Sequence, residues 1–69
     1  MSRPFHIEDS ARGRIVATGQ IDAGGRVTWD ETEDSVSAEL SDLAEEIQQH
    51  LAEGHSGGQL RRPLEWFEL

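Results

Sequence analysis

Five apolar residues in the second half of this chain, Val36, Leu40, Leu43, Ile47 and Leu51, are separated by 4, 3, 4 and 4 positions. On an α-helix that spacing draws one continuous apolar stripe. Glu39, Asp42, Glu45, Glu46, Gln49 and Glu53 fall largely on the other side. No other segment repeats the pattern. The stripe therefore has no second helix to pack on and calls for a sheet. The spacing predicts a helix within residues 30–54. Thr32 is the expected N-cap, with Asp30, Glu31, Glu33 and Asp34 crowding the positive end of the helix dipole. Gly54 is the expected residue that ends it.

The segments around the helix alternate with period two, the signature of strands. "RPFHIE" (3–8) puts Phe5 and Ile7 on one face. "RIVATGQI" (14–21) puts Ile15, Ala17, Gly19 and Ile21 on one face, with Val16 and Thr18 on the other. "RVTW" (26–29) returns with Val27 and Trp29 together. Between them, "DSARG" (9–13) and "DAGG" (22–25) are turn chemistry: Asp and Ser bond nearby backbone, and glycine tolerates positive φ. "HSGGQ" (55–59) has no alternation and reads as a loop. The tail "RRPLEWFEL" (61–69) alternates again, but both of its faces carry large apolar groups: Leu64 and Trp66 on one, Phe67 and Leu69 on the other. The expected fold is one small α+β domain over residues 1–69. A three-stranded antiparallel meander packs against one helix, and a C-terminal strand follows (β-β-β-α-β). One face of the tail strand then meets the helix. A second copy of the chain or another partner is expected to cover the other face, so a homodimer through the tail is expected.

A chain of 69 residues has little room for a core. It contains no cysteine, which removes disulfides and thiolate metal sites as staples. No apolar run approaches a membrane span. The opening "MSRPFHIED" lacks the apolar stretch of a signal peptide, so a cytoplasmic location is expected. Fourteen acidic residues stand against six basic ones, all arginine, for a net charge of −8. Such a field repels nucleic acid and anionic membrane and attracts basic proteins.

No constellation in the sequence carries chemistry. His50 and His55 are five apart, where a helical zinc pair needs about four, and His6 is remote. The carboxylates come in solvated runs, not as an isolated pair suited to general acid catalysis. Ser35, Ser37 and Ser41 have neither an elbow motif nor a fixed base. The glycine pairs at 24–25 and 57–58 lack the Lys and Ser/Thr of a phosphate loop. The arginines at 12, 14, 26, 61 and 62 are expected to pair with helix acids or guard a sheet edge, since the global field opposes phosphate. No enzyme activity and no cofactor are expected.

The stretch "GRVTWDETEDSV" (25–36) resembles the core of HicB-type antitoxins: a glycine, a short strand ending in Thr, then acidic residues and a Thr leading to an acidic helix start. Gly25, Val27, Thr28, Glu31, Thr32 and Asp34 occupy the matching places. "HIEDSARGRIVA" (6–17) is similar to that family's first hairpin, and "LAEEIQQHLAEG" (43–54) to its helix. The likeness spans residues 5–54 and is to short members without a separate DNA-binding domain. It implies a protein that neutralises a small basic ribonuclease toxin by covering its active site.

The expected function is thus inhibition by occlusion of a basic nucleic-acid-handling protein, in antitoxin-like form. A phage-encoded anti-CRISPR or other anti-defence inhibitor needs the same physics, and a self-associating structural or assembly protein is a further alternative. The residues expected to meet the partner are Asp30, Glu31, Asp34, Asp42, Glu45 and Glu46. Leu64, Trp66, Phe67 and Leu69 are the expected apolar anchors for a second copy or partner.

Overall fold

A computed structural model describes residues 2–69. Strand β1 (Arg3–Asp9) is followed by β2 (Arg14–Ile21) and β3 (Val27–Thr32). A 3-10 helix (Asp34–Glu39) then runs into α1 (Leu40–Ala52), and β4 (Gly57–Gln59) and β5 (Leu64–Glu68) close the chain. The strands form one antiparallel sheet in the order β3-β2-β1-β5-β4. The expected three-stranded meander with one added C-terminal strand is therefore corrected to a five-stranded sheet. The extra strand is β4, in the glycine-rich stretch read as a loop.

β4 exists because of its neighbour. Gly57, Gly58 and Gln59 pair with Phe67, Trp66 and Glu65. A Cβ at Gly57 would lie 2.9 Å from the Trp66 carbonyl oxygen, so only glycine brings the backbone that close. With β1 on one side and β4 on the other, β5 uses both of its hydrogen-bonding edges inside the chain.

The turns follow their local chemistry. The Asp9 carboxylate accepts from the Ala11 and Arg12 amides, and Gly13 takes φ 67°. At the β2–β3 turn the Asp22 carboxylate accepts from the amides of Gly24 and Arg26, both at 2.9 Å. The Arg26 amide first, and then that of Gly24, hold the Asp22 carboxyl below its ordinary value. A depressed folded-state pKa stabilises above the unfolded value, about 3.9, and the contribution is lost as pH falls through the folded value. Asp22→Asn keeps an acceptor oxygen but cannot titrate. Its urea midpoint is expected to fall less steeply below about pH 4 than that of wild type.

Two irregularities change which residues face the core. Ile7 pairs with Ala17 but Glu8 pairs with Ile15, so Val16 has no partner in β1. This bulge shifts the alternation. Val16 turns inward and is buried, while Ile15, expected beside Ala17 and Ile21, points outward and is 49% exposed. A second bulge at Asp30 lets Glu31 and Thr32 pair with Thr18 and Ala17. Thr32 is thus the last residue of β3 and not an N-cap. Glu33 precedes the 3-10 helix without a side-chain cap, and its amide donates to the Val16 carbonyl. Main-chain pairing with β2 outweighs the helical tendency of the acidic run. Gly54 ends the helical region at φ 88°, as its position implied.

The apolar stripe lands on the sheet as its spacing requires. Val36, Leu43 and Ile47 are buried, with Leu40 and Leu51 packed at the margin. They meet Phe5, Ile7, Ala17, Ile21, Leu64 and Trp66 on the inner sheet face. Phe5 sits between the two tryptophans, edge to face, at 5.5 Å from Trp29 and 6.4 Å from Trp66. Full burial of such side chains stabilises by about 1.5–3 kcal/mol each. No helix among the described residues is long and apolar enough to cross a membrane.

Candidate partner-binding surface

The structure divides the six expected contact carboxylates between two places. Asp30, Glu31 and Asp34 lie along the edge strand β3 and the start of the 3-10 helix, all exposed. Asp30 accepts from the Gln20 side-chain amide at 3.0 Å. Asp42, Glu45 and Glu46 lie on α1. Asp42 and Glu46 are already engaged, because Arg61 reaches up from the turn before β5. Its guanidinium stands 3.1 Å from Glu46, 3.3 Å from Glu39 and 3.7 Å from Asp42. These carboxylates, Glu46 first and then Glu39, hold the Arg61 guanidinium above the ordinary arginine value. Such exposed pairs contribute little to stability, but they lower the charge that the helix offers to a partner. Glu45 is exposed and takes part in no ion pair among the described residues.

The four expected anchors also divide. Leu64 is 5% and Trp66 0% exposed, so both belong to the core. They cannot touch a partner in this fold. Phe67 and Leu69 are 38% and 71% exposed, on the opposite side of the tail.

The sheet carries its helix on one face only, and the register places the residues of the other face in rows. Thr18, His6 and Phe67 stand side by side across β2, β1 and β5. Ile15, Glu8 and Glu65 form the next row. His6 and Phe67 meet edge to face at 5.7 Å. Ile15, Phe67 and Leu69 are the exposed large apolar residues among the described residues. Sequence reasoning found the outward side of the tail but missed Ile15, Glu8 and Glu65. The alternation of β1 and β5 could have shown the two glutamates; the bulge hid Ile15.

Trp66 has a partner that no spacing indicated. Its indole N–H donates to His50 Nδ1 at 2.7 Å, and the rings lie 6.0 Å apart. An acceptor at Nδ1 requires the neutral tautomer with its proton on Nε2. A Cβ on Gly58 would press to 3.1 Å from the same imidazole. His50 therefore sits half-buried at the margin of the core.

A shallow groove of about 570 Å3 lies between the β2–β3 turn and the end of α1, lined by Arg3, Gly24, Gln48, Leu51, Gly54 and His55 among others. Arg3 is held there by Glu68 at 3.1 Å. Among the described residues no group of three or more His, Cys, Asp or Glu is placed to hold a metal, and no buried side-chain polar atom lacks a hydrogen-bond partner. Compared with models of known families, with curated proteins and with solved structures, the chain matches none.

Proposed function

We propose that this protein acts by binding: it covers a basic, nucleic-acid-handling protein and blocks it. The observation that carries this reading is the uncovered sheet face, where Ile15 and Phe67 stand exposed beside the Glu8–Glu65 pair on a chain of net charge −8. Apolar contact area beside paired carboxylates, on a chain of strongly negative net charge, suits a partner of the opposite sign. The resemblance of residues 25–36 to HicB-type antitoxins favours a toxin ribonuclease as that partner. A subunit of a defence complex presents the same basic groove and is the alternative.

Capture from the native host with the intact chain as bait, read by mass spectrometry, tests this. The expected prey is a basic nucleic-acid-handling protein whose activity falls to zero at a stoichiometric ratio of inhibitor. Recovery of the chain with itself alone would instead support the self-associating reading. Light scattering at micromolar concentration would then show twice the chain mass. Such a dimer could not form by strand pairing at β5, whose edges are both used. It would have to use the outer face of the sheet or an open edge at β3 or β4.

The acids of α1 enter as steering charges. Replacing Asp42, Glu45 and Glu46 by their amides is expected to slow association several-fold and to change dissociation less. It also leaves Arg61 with Glu39 as its one remaining carboxylate partner among those of the helix region. Raising salt should slow wild type towards the variant, because screening acts over about 8 Å at physiological ionic strength. A partner whose association rate ignores both changes would reduce this surface to plain solvation.

A further inference from the structure

Resting on the reading just given, we infer that the outer sheet face receives an arginine side chain of the basic partner, held between Glu8 and Glu65. These two glutamates are directly opposite one another on β1 and β5. Residues so placed share a face, with Cβ atoms about 5 Å apart, and like charges there destabilise the sheet. The chain has six arginines, yet four of them pair elsewhere and none pairs with these two glutamates among the described residues. Arg3 pairs with Glu68, Arg12 with Asp9, Arg14 with Glu33 and Arg61 with the helix acids. Neither Glu8 nor Glu65 has an ion-pair partner among the described residues.

The surroundings of the pair fit one kind of group. Ile15 lies next to Glu8 in the same row, and Phe67 stands one row away beside His6. An arginine laid on this face rests its alkyl stem on exposed apolar surface. Its planar fork has enough donors to bond both carboxylates at once, which an ammonium does with less geometric fit. The Phe67 ring adds an attractive face for the guanidinium.

The other occupants fit worse. A second copy brought in by a two-fold axis would press together two chains of net charge −8 each and supply no basic group set aside for the pair. A phosphate backbone would meet the same carboxylates. A basic protein alone meets both the apolar and the charged part of the surface.

The test titrates the isotope-labelled full chain with a tetra-arginine peptide at about 0.15 M salt, where long-range attraction is screened. NMR shift changes should centre on His6, Glu8, Glu65 and Phe67. Glu8→Gln with Glu65→Gln should weaken binding at least about five-fold, since both charge-assisted contacts are lost. Asp42→Asn with Glu45→Gln removes the same charge from the helix and should weaken it less than about two-fold. Shifts centred on α1, or equal weakening by both double variants, would overturn the site in favour of a general field. The Glu8/Glu65 variant should also unfold at higher urea than wild type, since it removes a repulsion. A lower midpoint would mean that the pair supports the fold, and would equally overturn the assignment. The two proposals fail separately. A captured basic partner that binds this variant as tightly as wild type sinks the arginine site and leaves the occlusion reading standing, whereas capture of no basic partner sinks the reading itself.

Discussion

Trp66→Ala is expected to remove about 3–5 kcal/mol of stability, the range for truncating a buried aromatic. For a small domain with roughly 5 kcal/mol in all, that approaches complete unfolding. Trp66 is 0% exposed and belongs to the core shared by sheet and helix. Its ring meets Phe5 edge to face and lies against His50, to which its N–H donates. Truncation removes the apolar area, leaves a cavity at the centre of the sheet and strands the imidazole acceptor. The loss should exceed that of any single substitution in residues 55–62. Two companion variants separate the contributions. Trp66→Phe keeps most of the area and leaves only a half-exposed acceptor without its donor, a cost of about 1 kcal/mol. His50→Ala keeps the indole but leaves its buried N–H without a partner, a cost of about 1–3 kcal/mol. Urea midpoints should therefore fall in the order wild type, Trp66→Phe, His50→Ala, Trp66→Ala. Coincident midpoints for Trp66→Ala and wild type would show that the tail is not part of the core.

That tail shows what is legible in such a chain. Alternation in residues 64–68 says correctly that Leu64 and Trp66 share one face and Phe67 takes the other. It cannot say that β5 lies between β1 and β4, because pairing partners leave no mark in a strand's own periodicity. The hairpin turns were legible because their chemistry is local: Asp9, Gly13, Asp22 and Gly25 act within four residues of themselves. The bulges at Val16 and Asp30 were not, because period-two reading assumes an unbroken register. β4 was invisible for a related reason. Glycine has no side chain to alternate, and Gly57 and Gly58 are strand residues only because β5 already offers them an edge. The helix stripe was legible, but its start was not. An acidic run suits the first turn of a helix, yet residues 31 and 32 have a β2 partner within reach. On the candidate surface, sequence position indicated charge but not its neutralisation. Arg61 lies 15 residues from Glu46 and 22 from Glu39, and only the fold brings them together.

The same sheet contains a position where the smallest enlargement has a large effect. Gly19→Ala is expected to destabilise by about 3 kcal/mol, at or beyond the upper end usual for overpacking. Gly19 sits mid-strand in β2, between Phe5 on β1 and Trp29 on β3. A methyl group there would run into the Thr28 carbonyl oxygen and stand 2.8 Å from Phe5 Cε1. Neither neighbour can yield at low cost. The carbonyl belongs to the backbone of β3, so moving it disturbs the pairing on which that edge strand depends. The Phe5 ring is 0% exposed and is packed on both tryptophans. Glycine is normally a poor strand residue. Here the ring of Phe5 occupies the space that a side chain would otherwise fill. A melting-temperature fall of about 12–24 °C corresponds to the expected loss in a domain of this size. Gly24→Ala is the matched control. Its Cβ would come no nearer than 3.4 Å, to a side-chain oxygen in an exposed turn, so its effect should stay within about 0.5 kcal/mol. If Gly19→Ala melts with Gly24→Ala, Phe5 does not lie over β2, and the aromatic stack that joins the first strand to the last is not the centre of this core.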